Sequence, residues 1–355
     1  MANRYIRQTN LQDFGEEGQK RLAHARVLVV GLGGLGIPVV QYLNAMGVGT
    51  LGLVDHDTVD IHNLQRQVLY SEADSGQSKL GVALKKLRNQ NSETNLIPHD
   101  TFLTNKNALE IIKEYDVVVD ATDNFPTRYL INDACIILNK PFVYGALHAF
   151  EGHVSVFNYR QGPTYRCLYP AMPAGNEVPN CDENGVLGVV PGIIGSLQAL
   201  EVVKIITGIG EVLSGQLLIF NGLQQDHIKI SFNSKSENRK IKALQPSYES
   251  LDCELAPSIS NEEFLKIRAS QDSLSIIDVR TVREFENSHL EEAHNIPLNT
   301  LALPADLFLE NKPIYVICQS GKRSEKAVIE LTKVYPKHTF YNILGGMNQM
   351  RTQTS

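Results

Sequence analysis

The chain has 355 residues, of which 43% are hydrophobic and 20% charged, with a formal net charge of −6. This supplies a sizeable core and a prior of two domains, and it excludes disorder, collagen and coiled coil. The negative charge argues against a dedicated nucleic-acid or membrane-surface binder but not against phosphate ligands, which answer to local geometry. Five cysteines, Cys135, Cys167, Cys181, Cys253 and Cys318, stand at wide spacings without a C-x-x-C pair. No disulfide framework is expected, and a reducing cytoplasm is the expected location. The first residues given, Met1-Ala-Asn-Arg4-Tyr-Ile-Arg7-Gln8, are polar, and no secretory signal is expected.

Residues 27–54 carry no charge and are long enough to span a membrane. Their glycines and Pro38 divide them instead into a strand (27–30), a glycine turn, a helix (37–46) and a second strand (50–54), a βαβ unit buried on both faces. Apolar β-branched runs at 115–119 and 141–144 continue the pattern. Runs at 154–159, 216–220 and 227–231 lie close together and read as antiparallel additions. The fold class expected is α/β, a doubly wound, Rossmann-like mixed sheet over 1–245. Residues 246–257 contain prolines and acids without period and read as a linker. From 258 to 355 a helix (261–269), strands (275–279 and 314–317) and a helix (324–334) form a second, small α/β domain.

Gly31-Leu-Gly33-Gly34-Leu-Gly36 fits G-x-G-x-x-G between a strand and a helix. Glycines let the backbone approach a phosphate, and the free N–H groups of the helix start attract anions. Asp55 ends the next strand, where a carboxylate can accept from ribose hydroxyls. NAD and ATP share this much. Of the residues that follow, Asp57, Asn63, Arg66 and Lys79, the last three are groups that suit a triphosphate and its departing pyrophosphate better than an apolar nicotinamide slot. Asp123, in Asp120-Ala-Thr-Asp123-Asn124, ends a buried strand where open sheets bind ligands; Mg²⁺ prefers such a carboxylate together with phosphates.

Arg4-Tyr-Ile-Arg7-Gln8, Gly31–Gly36, Asp55-His-Asp57, Asn63-Leu-Gln-Arg66-Gln67, Lys79 and Ala121-Thr-Asp123-Asn124 together resemble the ThiF/MoeB/HesA family of adenylyltransferases, relatives of ubiquitin-activating enzymes. The likeness runs from about residue 4 to 232. It implies that ATP and magnesium are used to adenylate the C-terminal glycine of a small ubiquitin-like sulfur-carrier protein ending in Gly-Gly. By the same resemblance, Gly34 and Asp55 hold adenosine and ribose, and Asn63, Arg66 and Lys79 the phosphates. Asp123 holds the metal, and Arg7 reaches the ATP of a partner subunit in a homodimer. Cys181, in a loop rich in proline, glycine and asparagine, is implied to bond transiently to the activated carrier. The family often has a four-cysteine zinc site. Here the two positions read Thr164-Tyr-Arg-Cys167 and Ser250-Leu-Asp-Cys253, and with two thiolates missing no structural zinc is expected.

Cys318 opens a loop, Cys318-Gln-Ser-Gly-Lys322-Arg323-Ser324, between a strand and a helix. Curling backbone N–H groups, the helix start and two cations would favour a sulfur anion there. Ile277-Asp278-Val-Arg280, Glu284-Phe285, His289-Leu, Ala293-His-Asn295-Ile-Pro297 and Leu344-Gly-Gly346-Met347 frame it and resemble a rhodanese domain. This implies that Cys318 carries sulfur as a persulfide, loaded by a donor such as a cysteine desulfurase, while Asp278 and Arg280 brace the loop. The fusion resembles the arrangement that makes carrier thiocarboxylates for molybdenum cofactor or thiamine type biosynthesis. Two rivals remain open at this point: an NAD-dependent oxidoreductase with an appended sulfur domain, and a non-catalytic scaffold for a ubiquitin-like tail.

Overall fold

The computed structural model describes residues 4–173, 185–248, 256–270, 274–301 and 312–351. The chain divides into two compact units between Ser250 and Leu251.

The first unit is built on an eight-stranded sheet. Its strands are β1 (Arg26–Val30), β2 (Thr50–Val54), β3 (Asn95–His99), β4 (Val117–Asp120), β5 (Phe142–His148), β6 (Glu151–Phe157), β7 (Gln216–Asn221) and β8 (Asp226–Ser231). Their order is β3-β2-β1-β4-β5-β6-β7-β8. Pairing is parallel from β3 to β5 and antiparallel from β5 to β8, as the spacing of the later runs predicts. Residues of β1 alternate between two cores: Val27 and Val29 face one, Leu28 and Val30 the other. A strand covered on both faces needs no polar side. Each fully buried valine or leucine contributes roughly 1.5–3 kcal/mol.

Among the elements that escape the sequence reading are one strand and one long helix. β3 contains Pro98, which lacks an N–H, and a strand with proline survives at a sheet edge. The helix Val189–Thr207 is apolar all round, so it shows no amphipathic period. By length and composition alone it is long and apolar enough to cross a membrane. Here it packs on β5, β6 and the helix Gly36–Ala45, and Gln198 within it donates to the carbonyl of Asp120 at 2.8 Å.

The first unit extends to Tyr248, inside the segment expected to link the domains. Tyr248 is buried, and its hydroxyl donates to Asp133 at 2.8 Å, a carboxylate also held by Arg166 at 2.8 Å.

The second unit holds β9 (Ser258–Ile259), β10 (Ser275–Asp278), β11 (Ala293–Asn295), β12 (Ile314–Ile317) and β13 (Phe340–Ile343). They form a five-stranded sheet in the order β11-β10-β12-β13-β9, with every pair parallel. All five strands are only two to four residues long, and β9, β11 and β13 carry no readable period. Ile314 and Val316 of β12 face one core, Tyr315 and Ile317 the other. The helix Lys322–Val334 seats Ala327, Val328 and Leu331 in the first of these.

Candidate functional site

The glycine turn joins β1 to the helix Gly36–Ala45. Two of its glycines are fixed by packing. Gly31 has φ +96°, and a Cβ on Gly36 would lie 1.9 Å from the Gly31 carbonyl oxygen. Gly33 is open, with its nearest contact 3.7 Å away at the Gln67 amide, and Gly34 faces the Arg66 side chain. Leu35, preceding the helix, offers no side-chain cap. The Ile37 N–H is taken by the Gly33 carbonyl and Pro38 has no N–H, which leaves the N–H groups of Gly33, Gly34, Leu35 and Gly36 as the donors for an anion.

Asp55 reaches back to this turn. Its Oδ2 accepts the Leu32 N–H at 2.7 Å and its Oδ1 accepts the Asp57 N–H at 2.8 Å. Burial pushes the Asp55 carboxyl above its ordinary range, against these donors and Lys79. Tyr70, which sequence reasoning missed, is buried beneath the same turn, and its hydroxyl donates to the Leu32 carbonyl at 3.1 Å.

Lys79 is buried along its stem, and its Nζ lies 3.0 Å from Asp57 Oδ2, whose carboxylate is exposed. Its Ser78 neighbour caps the helix Lys79–Gln90 by accepting from Gly81. Asn63 ends a short 3₁₀ turn capped by Asp60, and its carbonyl accepts the N–H groups of Arg66 and Gln67. Arg66 is half-buried and donates to the His62 carbonyl at 3.2 Å. Direct contacts thus join the turn to Asp55, Asp57 and Lys79 at the C-terminal ends of β1 and β2 and bring Arg66 beside Gly34, while Asn63 enters through its main-chain carbonyl.

Asp123 lies beyond the C-terminal end of β4, the neighbour of β1, and is exposed. Asn124 is the N-cap of the helix Phe125–Ile137, its Oδ1 accepting from Thr127 at 2.9 Å. That cap leaves the Asp123 carboxylate available. Among the described residues no group of three or more histidines, cysteines and acids could hold a metal alone. Mg²⁺ needs only one or two carboxylates when phosphates and water complete its shell, so Asp123 fits that mode. Behind it, Arg128 donates to the Thr122 carbonyl at 2.9 Å and stands 4.0 Å from the buried Asp120 carboxylate. Arg7 is exposed on the short helix Ile6–Thr9. Cys181 and Cys253 lie outside the described residues. Cys167 is buried, and its sulfur accepts from Thr164, Lys235 and Asn238 at 3.3–3.5 Å. Burial pushes its thiol up, but those donors outweigh it and the net shift is downward.

In the second unit Cys318 follows β12 directly and is fully buried. Its sulfur accepts the Gly321 N–H at 3.1 Å and the Ser324 hydroxyl at 3.3 Å. The loop is held from three sides. Arg280, paired with Asp278, donates to the Gln319 side chain at 3.1 Å. The Met347 and Asn348 N–H groups donate to the carbonyls of Cys318 and Gln319. A Cβ on Gly346 would lie 2.2 Å from the Cys318 carbonyl oxygen, so only glycine fits there. Arg323 makes no hydrogen bond to the sulfur, although its charge interacts with Cys318. It forms a two-pronged pair with Glu284 at 2.7 and 2.8 Å, and Glu284 also accepts from Thr281. Arg323 hydrogen bonding holds the Glu284 carboxyl down at about 2.

A model of the ThiF family matches residues 5–242. The chain belongs to the ThiF family. A rhodanese-like domain follows over residues 260–353. The adenylyltransferase and sulfurtransferase MOCS3 of Drosophila yakuba is 41% identical to this ThiF-family chain, across 97% of it and 82% of the relative. MOCS3-1 of Zea mays is 38% identical, across 98% and 81%. Among solved structures, E. coli MccB with ATP superposes with a TM-score of 0.58 at 22% identity, covering 66% of this chain and 72% of that one. That likeness carries the fold alone. As a ThiF-family chain with a rhodanese-like domain, the protein is an adenylyltransferase with a sulfurtransferase domain.

Proposed function

We propose that the first unit adenylates the C-terminal glycine of a small ubiquitin-like sulfur-carrier protein and that Cys318 supplies the sulfur that turns it into a thiocarboxylate. A carboxylate is a poor acyl donor because oxide is a poor leaving group. Its attack on the α-phosphate of ATP gives an acyl-adenylate and releases pyrophosphate. Lys79, Arg66 and the turn N–H groups hold the phosphates and the charge that develops on pyrophosphate. Asp55 fixes the turn and accepts from the ribose. Asp123 would hold Mg²⁺, which supplies charge neutralisation at the phosphates when bound. A persulfide anion on Cys318 then attacks the acyl carbon, and AMP leaves. Reduction of the resulting acyl disulfide releases the thiocarboxylate. We assign Cys181 as the attacking thiol, which leaves a disulfide for an external dithiol to reduce.

The observation that carries this reading is one chain holding both a glycine turn linked to Arg66 and, through Asp55 and Asp57, to Lys79, and a cysteine cradled by a backbone N–H and a hydroxyl. The MOCS3 relatives favour molybdenum cofactor chemistry over thiamine as the destination of the sulfur, and a cytoplasmic location suits the free thiols. The sulfur on Cys318 would come from a donor such as a cysteine desulfurase. A homodimer is part of the proposal. Arg7 is exposed, and Ile6, Tyr42, Val189 and Leu200 are apolar side chains about half exposed or more that a second copy could cover. The test is mass spectrometry of a Gly-Gly-ended carrier after incubation with enzyme, ATP, Mg²⁺ and a persulfide donor. A thiocarboxylate product is expected; ATP turnover with an unmodified carrier contradicts the reading.

A further inference from the structure

The cradle around Cys318 contains a hydroxyl with more acceptors than hydrogens. Ser324 is fully buried in the first turn of the helix Lys322–Val334. Its Oγ lies 3.3 Å from Cys318 Sγ, 2.6 Å from Asn342 Oδ1 and 3.0 Å from the Gly321 carbonyl. A hydroxyl has one hydrogen to donate. Asn342 sits on β13, which pairs with β12, and its side chain is buried. The sheet therefore fixes the competing acceptor on one side of the hydroxyl and the sulfur on the other.

The described arginines and acids around the loop are hydrogen-bonded to one another, and the Arg323 charge also reaches Cys318. Asp278 at the end of β10 pairs with Arg280. Arg323 on the helix pairs with Glu284 from the helix Val282–Asn287. Neither guanidinium has a hydrogen bond to the sulfur. The direct donors to Sγ among the described residues are the Gly321 N–H, fixed by its backbone at φ +91°, and the Ser324 hydroxyl, which can rotate.

We propose that Ser324 is a catalytic hydroxyl that gives its hydrogen to Asn342 while Cys318 is a neutral thiol and swings it to the sulfur when the sulfur is an anion. Asn342 is the positioning residue that sets how readily the hydrogen leaves. The thiol can donate its own hydrogen to Ser324 Oγ in the first arrangement, so every polar atom stays paired. In the second the anion gains a donor, and hydrogen bonds to charged acceptors are the stronger ones. The switch acts on the thiolate, because a persulfide carries its charge on the outer sulfur, one bond beyond Sγ. It rests on the reading of Cys318 as the sulfur carrier.

The experiment is peptide-resolved alkylation of Cys318 by iodoacetamide across pH in the full-length protein, with thermal unfolding as the control for folding. Ser324→Ala should raise the alkylation midpoint by about one pH unit, the scale of one lost hydrogen bond to a charged group. Ser324→Thr keeps the hydroxyl and should restore the midpoint. Asn342→Leu removes the competing acceptor and should move the midpoint the other way. A purely structural Ser324 would shift the melting temperature and leave the midpoint in place. Coincident midpoints for the original protein and folded Ser324→Ala overturn the proposal. A Cys318 that alkylates at no pH overturns the sulfur-carrier reading itself.

Discussion

Arg280 and Asp278 form a buried, two-pronged ion pair, with Arg280 Nη2 2.6 Å from Asp278 Oδ2 and Nε 2.9 Å from Oδ1. The third arm of the guanidinium holds Gln319, the residue after Cys318. Charge burial is costly, and the pair is tolerated because its hydrogen bonds are complete. Asp278→Ala would leave an uncompensated guanidinium in the core. Such a break costs about 3–5 kcal/mol. Calorimetry of the full chain should show the transition of the second unit lowered while that of the first is unchanged. An unmoved transition would mean that the pair does not brace the loop.

The glycine turn makes a sharper test of local geometry. Gly36→Ala places a methyl against the Gly31 carbonyl oxygen at 1.9 Å, and the turn must open. Gly33→Ala meets nothing closer than 3.7 Å. The first variant should lose its ATP-induced rise in melting temperature; the second should stay folded at nearly the original melting temperature. Equal behaviour of both would remove the packing account of the turn.

Acid should act on the second unit through Glu284. Its carboxyl is held at about 2, below the usual 4.5, by Arg323 and the Thr281 cap. The stabilisation is complete above the unfolded value of 4.5 and is lost as pH falls toward 2. In Glu284→Gln that part of the acid dependence should vanish. The loss at neutral pH should be only about 1 kcal/mol, because both side chains remain about one-third exposed. Urea unfolding at pH 7 and pH 3 reads both values.

The proposed dimer makes a complementation prediction. Arg7→Ala and Asp123→Ala should each lose pyrophosphate exchange. Mixed in one dimer, they leave one site with Arg7 and Asp123 both intact. Statistical mixing should then recover about a quarter of the original rate for a two-fold symmetric dimer. No recovery in co-expressed mixtures, with dimers present by sedimentation, would place Arg7 outside its neighbour's site.

Much of this was legible in the chain. β1, the glycine turn, the following helix and β2 stand where the uncharged stretch and its glycines put them, because a buried parallel unit leaves a near-continuous apolar run. Asp55, Asn63, Arg66 and Lys79 could be read as a group because their spacing follows the turn. The helix Val189–Thr207 was not legible, since burial on several sides erases period, and β3 was hidden by Pro98. Contacts between residues far apart in sequence were also invisible. Nothing in the sequence tells that Arg323 hydrogen-bonds to Glu284 rather than to Cys318, or that Tyr70 underpins the glycine turn. Both depend on where the sheet brings remote side chains.

The division of labour between the two units is tested most directly by ATP–pyrophosphate exchange with the carrier protein present. Asp123→Ala should abolish exchange. Cys318→Ala should exchange at the original rate yet form no thiocarboxylate. Exchange lost in a folded Cys318→Ala protein would contradict the account.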